Sequence, residues 1–430
     1  MAKDDAERPD DERPDDDAVE PGGPAPRRVR RRRVIYVHGF DPAKSDRYRR
    51  LLLRAGSDRD GVTVTMGEVG PITERSEGWM ISASGPDGQV ETVFEILRYE
   101  DIVRHWRNRP AAERLATGLT GWLRFACLGG LGRAAALAKG PAALFFYPVV
   151  MLAVFIGLGI GCGGLTGRAL EAWAGAPDWT TQAGRAVGAG LGLLLSLRAE
   201  RALFVHLMLA LFDFLIRVAE DKRPAGRLDA RISLFSERLA ACVADAQAKK
   251  VDEILIVGHS LGALVAVRAL ADALERDVDL TGGRAQVALL TLGSVAGYVA
   301  CHGGPGAEAY DAAVTRLASD HDLAWVDVSA PRDLFSFGLV DPLLMTEDPP
   351  TEARSPLVIS AKFGRFRPDP DDGRTRFRAM GLHMRYLAAP DRDGGFDFFE
   401  TVAGAKTLAD RYAGRRHSPK AKVLHSTAAR

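Results

Sequence analysis

The stretch LIVGHSLGA, residues 255–263, sets Ser260 between Gly258 and Gly262 at the end of an apolar run. A serine hydroxyl near its ordinary ionisation is a weak nucleophile. It needs a base within reach, a group that orients the base, and donors for the oxyanion that develops. With 45 glycines among 430 residues, a bare G-x-S-x-G decides nothing, so its surroundings must. EILIV before Gly258 reads as a buried strand and LGALVAVRALADAL after the serine as a helix, the strand–turn–helix that would lift Ser260 onto a sharp turn. Gly258 and Gly262 would let strand and helix approach closely. Upstream, RVIYVH (33–38) is a short β-branched and aromatic run ending at Gly39, so His38, Gly39 and Phe40 begin a loop at a strand end.

These residues need a scaffold, and the pattern supplies one. Behind the first strand come a helical stretch, SDRYRRLLLRAG, a strand-like GVTVTMGEV, and two strand-like runs divided by Pro86-Asp87-Gly88, a hairpin turn signal. From Leu228 an amphipathic helix leads into the serine segment. AQVALLTLGS, LAWVDVSA and SPLVISAKFG then read as further strands, with helices near 308–319 and 396–412. Strands alternating with helices predict an α/β fold with a mainly parallel sheet.

Between the halves the composition changes. Gly140 to Gly167 carries no charged residue, more than the roughly 20 apolar residues that cross a bilayer core. AVGAGLGLLLSL (186–197) is shorter, and ALFVHLMLALFDFLI (202–216), interrupted by His206 and Asp213, reads as amphipathic or interfacial. If the strands on either side share one sheet, the insertion must hold an even number of spans. The simplest is a hairpin of 141–165 and about 180–200. Arg124, Arg133 and Lys139 precede it and Arg198 and Arg201 follow it, whereas Arg168 and Arg185 share the intervening segment with Glu171 and Asp178. The positive-inside rule then puts the sheet on the cytoplasmic side, at what would be a bacterial inner membrane.

Through GHSLGA and YVHGF the chain resembles the α/β-hydrolase superfamily, in particular its bacterial esterase and lipase-like members, over roughly residues 33–110 and 228–410. The resemblance implies the order nucleophile, acid, histidine along the chain. Among nine histidines, His383 in AMGLHMRYL follows the last strand-like run and is the expected base. LAWVDVSAPRDLFSFGLVDPL offers three acids. Asp327 falls inside a strand, Asp333 lies just past its carboxyl end and is favoured, and Asp341 is the alternative. The oxyanion hole would use the backbone N–H groups of Leu261 and Phe40. His259, adjacent to the serine, reads as a packing neighbour.

The predicted organisation is an acidic then basic tail (1–32), a first hydrolase part (33–112), an apolar helical insertion (113–226), a second hydrolase part (227–412) and a basic flexible tail (413–430). The first twenty residues are acid- and proline-rich and lack the composition for a core. The arginine run RRVRRRR (27–33) comes without a nucleic-acid-binding motif, so no nucleic-acid partner is expected. No apolar stretch follows a short basic start, so a cleavable secretory signal is not expected. Four dispersed cysteines suit free thiols, and the absence of metal-ligand spacing or a phosphate-cradling loop predicts no cofactor. The expected activity is carboxylic-ester hydrolysis at a membrane, with lipid among the candidate substrates. A thioesterase or acyltransferase would use the same triad, and a non-catalytic membrane scaffold keeping the fold is the alternative from another class.

Overall fold

The computed structural model describes residues 28–57, 59–199, 204–221, 225–248, 250–276, 285–353, 355–364, 378–392 and 394–424. The acidic part of the tail, Arg201 and residues 425–430 lie outside them. The strands are β1 (Arg31–Val37), β2 (Thr63–Met66), β3 (Gly70–Thr73), β4 (Ser76–Gly85), β5 (Gly88–Leu97), β6 (Glu253–His259), β7 (Gln286–Leu292), β8 (Ala324–Ser329) and β9 (Leu357–Ser360). The helices are α1 (Ser45–Ser57), α2 (Glu100–Arg107), α3 (Ala111–Cys127), α4 (Gly130–Leu137), α5 (Lys139–Ala174), α6 (Thr180–Ala199), α7 (Val205–Ala219), α8 (Ala225–Ala248), α9 (Leu261–Glu275), α10 (Gly297–His302), α11 (Pro305–Ala318), α12 (Arg378–Met384), α13 (Phe398–Ala403) and α14 (Leu408–Arg411).

All nine strands join one mixed sheet in the order β2-β4-β5-β1-β6-β7-β8-β9, with β3 on β4. From β5 to β9 every ladder is parallel, whereas β2, β3 and β4 form an antiparallel wing. The wing arises because Pro86-Asp87 closes a two-residue turn and Gly88 takes φ +102, so β4 and β5 pair as a hairpin. Strand β6 is buried throughout, as an unbroken apolar run in a parallel sheet requires. Alternation along β1 sends Val34 and Tyr36 to the face covered by α1, α13 and α14, and Ile35 and Val37 to the face covered by α7, α8, α9 and α11.

Both presumed tails are partly built into this sheet. The basic end of the first presumed tail enters β1 at Arg31: Arg32 is fully buried, its Nε donating to Glu253 at 2.5 Å and its Nη atoms to the carbonyls of Gly404 and Lys406. Arg33 pairs with Glu95 and Asp245. Residues 413–424 run along the β9 edge, where Val358 N–H donates to His417 Nδ1, Ser418 N–H donates to Val358 O, and Lys422 Nζ caps the α4 carbonyls of Ala136 and Leu137. Local charge density concealed these pairings because their partners lie in distant segments, from 59 residues away for His417 and Val358 to 286 for Lys422 and Ala136.

The insertion forms an antiparallel hairpin of α5 and α6. Among the described residues α5 alone is long and apolar enough to cross a membrane; in α6, Arg185 and four glycines dilute the apolar content. Pro141, Ala142, Leu144, Phe145 and Pro148 are buried against the rest of the protein, so the freely projecting part begins near 149, about two turns beyond the predicted start. From there Val150, Val154, Leu158, Leu165 and Trp173 of α5 and Val187, Leu191 and Leu195 of α6 face outward. The two helices touch through backbone. A Cβ on Gly163 would lie 2.0 Å from the Gly184 carbonyl oxygen, and one on Gly159 2.1 Å from that of Gly188.

Helix α7 is not amphipathic. Nearly every residue is buried, and Asp213, which had suggested a polar face, is an internal acceptor for Arg109 (2.6 Å) and Arg217 (3.0 Å). It packs on the loop after β1, with Phe214 5.5 Å from Phe40, and on α5, with Phe212 5.1 Å from Phe145.

Candidate active site

Ser260 occupies the one-residue turn between β6 and α9 with φ 59 and ψ −121. A side-chain-bearing residue held there costs on the order of 1–3 kcal/mol and persists only where its surroundings over-determine it. They do so here. Ser260 N–H donates to Leu292 O at the end of β7, and the chain behind it passes so close to β1 that a Cβ on Gly262 would lie 2.0 Å from Val37 O. A Cβ on Gly258 would meet Ala263 Cα at 2.6 Å. The two glycines thus have the steric role expected of them.

Asp333 and His383 come together across fifty residues. Asp333 lies in the loop after β8 and His383 on α12, after β9, and His383 Nδ1–H donates to Asp333 Oδ2 at 2.8 Å with both side chains buried. Phe335 N–H donates to Oδ1 and Tyr386 OH to Oδ2, each at 3.0 Å. Burial alone would raise the Asp333 carboxyl, but the facing His383 and these donors outweigh it and leave its pKa below the ordinary value. The carboxylate therefore holds the imidazole in the tautomer whose Nε2 carries a lone pair. That Nε2 is buried and makes no hydrogen bond to another described group. It lines the same cleft as Ser260.

His259 supports His383 from behind. Its Nε2–H donates to the His383 carbonyl at 3.0 Å and the rings stack at 5.2 Å. Burial, then the neighbouring His383, lowers its pKa to about 3, so it stays a neutral donor.

The loop after β1 closes the other side. A Cβ on Gly39 would be 2.8 Å from Ser260 Cβ, so only glycine admits this approach. The Gly39 carbonyl accepts from His38 Nδ1–H (2.8 Å), Asp41 N–H (2.7 Å) and Tyr99 OH (3.2 Å). Because the peptide is planar and trans, fixing that carbonyl turns the Phe40 N–H to the opposite side. Leu261 supplies the first N–H of α9, which has no intrahelical acceptor and sits at the positive end of the helix dipole. His38, stacked on Tyr99 at 4.4 Å and with a pKa lowered by burial, shapes this loop.

Serine, histidine and loop meet in a cleft whose apolar lining comes from Phe40, Leu207, Leu211, Phe335, Met380 and Met384. Asp41 and Tyr48 add polar groups. The other two acids lie elsewhere. Asp341 caps the short turn Pro342–Met345 and accepts from Leu343 and Leu424 N–H. Asp327 accepts from Thr291 Oγ1 at 2.5 Å inside the sheet, where burial raises its pKa to about 7. Tyr48 and the two α7 leucines escaped the sequence reading because they reach the cleft from distant segments, and Tyr386 because its contact is with Asp333 behind the cleft. Among the described residues no group of three or more His, Cys, Asp or Glu side chains could hold a metal ion. No family model, curated protein or solved structure matches the chain.

Proposed function

We propose that this protein is a membrane-associated serine hydrolase of the α/β-hydrolase superfamily that cleaves a carboxylic ester through an acyl-enzyme on Ser260. One observation carries the reading: a buried His383, held by Asp333 through Nδ1, presents an unpartnered Nε2 to the cleft lined by a conformationally strained serine. Ser260 Oγ attacks the acyl carbon and its proton passes to His383 Nε2, while Asp333 stabilises the imidazolium. The carbonyl electron pair moves onto the oxyanion, which the Leu261 and Phe40 N–H groups receive. Collapse breaks the acyl C–O bond and the alcohol leaves with the proton from His383. Water then repeats the sequence, and the free acid departs from Ser260. The positions of Ser260 after β6, Asp333 after β8 and His383 after β9, in the parallel run of the sheet, support the superfamily reading.

Membrane association rests on the apolar outer faces of α5 and α6. Residues 149–174 rise about 39 Å at 1.5 Å per residue, enough for a hydrocarbon core of about 30 Å. Trp173 and Trp179 flank the far turn as interfacial anchors, and exposed Lys139 and Arg198 mark the near end, which the positive-inside rule assigns to the cytoplasm.

A fluorophosphonate probe on the purified full chain tests the chemistry. Wild type is expected to become labelled and Ser260→Ala not. Failure of the wild type to label, or equal labelling of the variant, overturns the hydrolase reading in favour of a non-catalytic scaffold.

A further inference from the structure

Resting on the hydrolase reading, we infer that the substrate is an acyl lipid taken directly from the leaflet that surrounds the foot of the α5–α6 hairpin. Three consecutive residues connect that foot to the site. Asp333 holds His383. Leu334 turns to the surface, 37% exposed, with its side chain 3.3 Å from the Cβ position of Gly140 in the first turn of α5. Phe335 turns back to line the cleft, its ring 4.8 Å from that of His383.

Helix α7 makes a second connection, presenting Leu207 and Leu211 to the cleft and Phe212 to Phe145 of α5. The foot is fixed in place as well, since Tyr298 OH donates to the Pro141 carbonyl at 2.9 Å.

Depth follows from helix rise. The first exposed large apolar side chain of α5 is Phe146, six residues and so about 9 Å beyond Gly140. The headgroup layer is about 5–8 Å thick on each side of the hydrocarbon core. Gly140, against which Leu334 packs, therefore lies at the outer edge of the headgroup layer, about 9 Å from the level at which the acyl-ester carbonyls of bilayer lipids sit. A lipid needs lifting by less than its own length, and the methionine, phenylalanine and leucine side chains of the cleft replace the bilayer around the start of its acyl chain. A water-soluble ester with a short chain would leave that apolar lining unused.

The experiment reconstitutes full-length protein in liposomes of equal parts dioleoyl phosphatidylethanolamine and dioleoyl phosphatidylglycerol. It measures oleate release beside turnover of monomeric p-nitrophenyl butyrate and fluorophosphonate labelling. Wild type is expected to release oleate and Ser260→Ala none. Leu334→Asp is expected to lower the ratio of oleate release to butyrate turnover roughly tenfold, the loss matching one buried leucine contact. Labelling and butyrate turnover without oleate release overturn this inference and leave the hydrolase reading standing. An unchanged ratio in Leu334→Asp overturns access through this foot. Absence of labelling overturns the hydrolase reading and this one with it.

Discussion

At Asp333 the choice among three acids becomes a matter of partners. A carboxylate that orients a histidine must face it, and only Asp333 does, while Asp341 spends both oxygens on backbone N–H groups. Asp333→Asn would present an amide to Nδ1 and favour the wrong imidazole tautomer, so kcat for ester hydrolysis should fall by roughly 10⁴-fold with the fold intact. Asp341→Asn should leave the rate near wild type; the reverse result would exchange their roles. Asp327 makes a stability prediction instead. Its folded pKa of about 7 stands above the unfolded value near 4, so its contribution to stability is complete below about pH 4 and is lost as pH rises through 7. Asp327→Asn imitates the protonated acid. It should raise stability at pH 8 by on the order of 1–3 kcal/mol and change little at pH 4, measured by urea unfolding at both pH values. An equal effect at both would show that Asp327 is not proton-linked. The serine and its glycines were legible because strand, turn and helix are contiguous. Tyr386 was not, for its hydroxyl meets Asp333 only after β9 and α12 are in place.

Among the elements, the hairpin shows what hydropathy reads and what it omits. An uncharged run is legible as a helix that can leave water, but the run does not state where burial in protein ends. Phe145 and Pro148 look as lipophilic as Val150, yet they pack on the folded body while Val150 faces outward. The same blindness made α7, whose Asp213 is satisfied internally, read as amphipathic. A signal for the α5–α6 contact was present in the glycines at four-residue spacing, 159-163-167 and 184-188-192, which place small residues along one face of each helix. Gly163 faces the Gly184 carbonyl, whereas Gly161 has nothing within 4 Å of its Cβ position. Gly163→Leu should therefore destabilise the detergent-solubilised chain by about 1–3 kcal/mol, as overpacking does, while Gly161→Leu should not. Thermal unfolding followed by circular dichroism distinguishes them, and equal losses would place the helix contact elsewhere.

For the whole molecule, connectivity constrains topology more firmly than composition does. Strands β1 and β5 precede the insertion and β6 follows it, yet β1 pairs in register with both, so the chain must return to the side it left. The return was legible as a condition, since the two halves read as parts of one sheet. The ties that seal them were not: Arg32 of the expected basic tail reaches Glu253 and the carbonyls beyond α13, and Lys422 of the expected flexible tail caps α4. If α5 and α6 together span the bilayer, the turn bearing Asp178 lies across the membrane from Cys127, which is exposed at the end of α3 on the sheet side. A membrane-impermeant maleimide added to intact cells expressing the Asp178→Cys chain should thus modify residue 178 and leave Cys127 untouched until lysis, while the protein resists alkaline carbonate extraction. Labelling of 178 only after lysis, or release by carbonate, would make the hairpin a surface-bound or protein-covered element. In the proposed spanning arrangement the cost of the crossing falls on few residues. Residues 150–165 carry no charge, and the closely packed backbones leave apolar side chains to meet lipid. Arg168 and Arg185 lie toward the far turn, within reach of the headgroups by extension of their side chains.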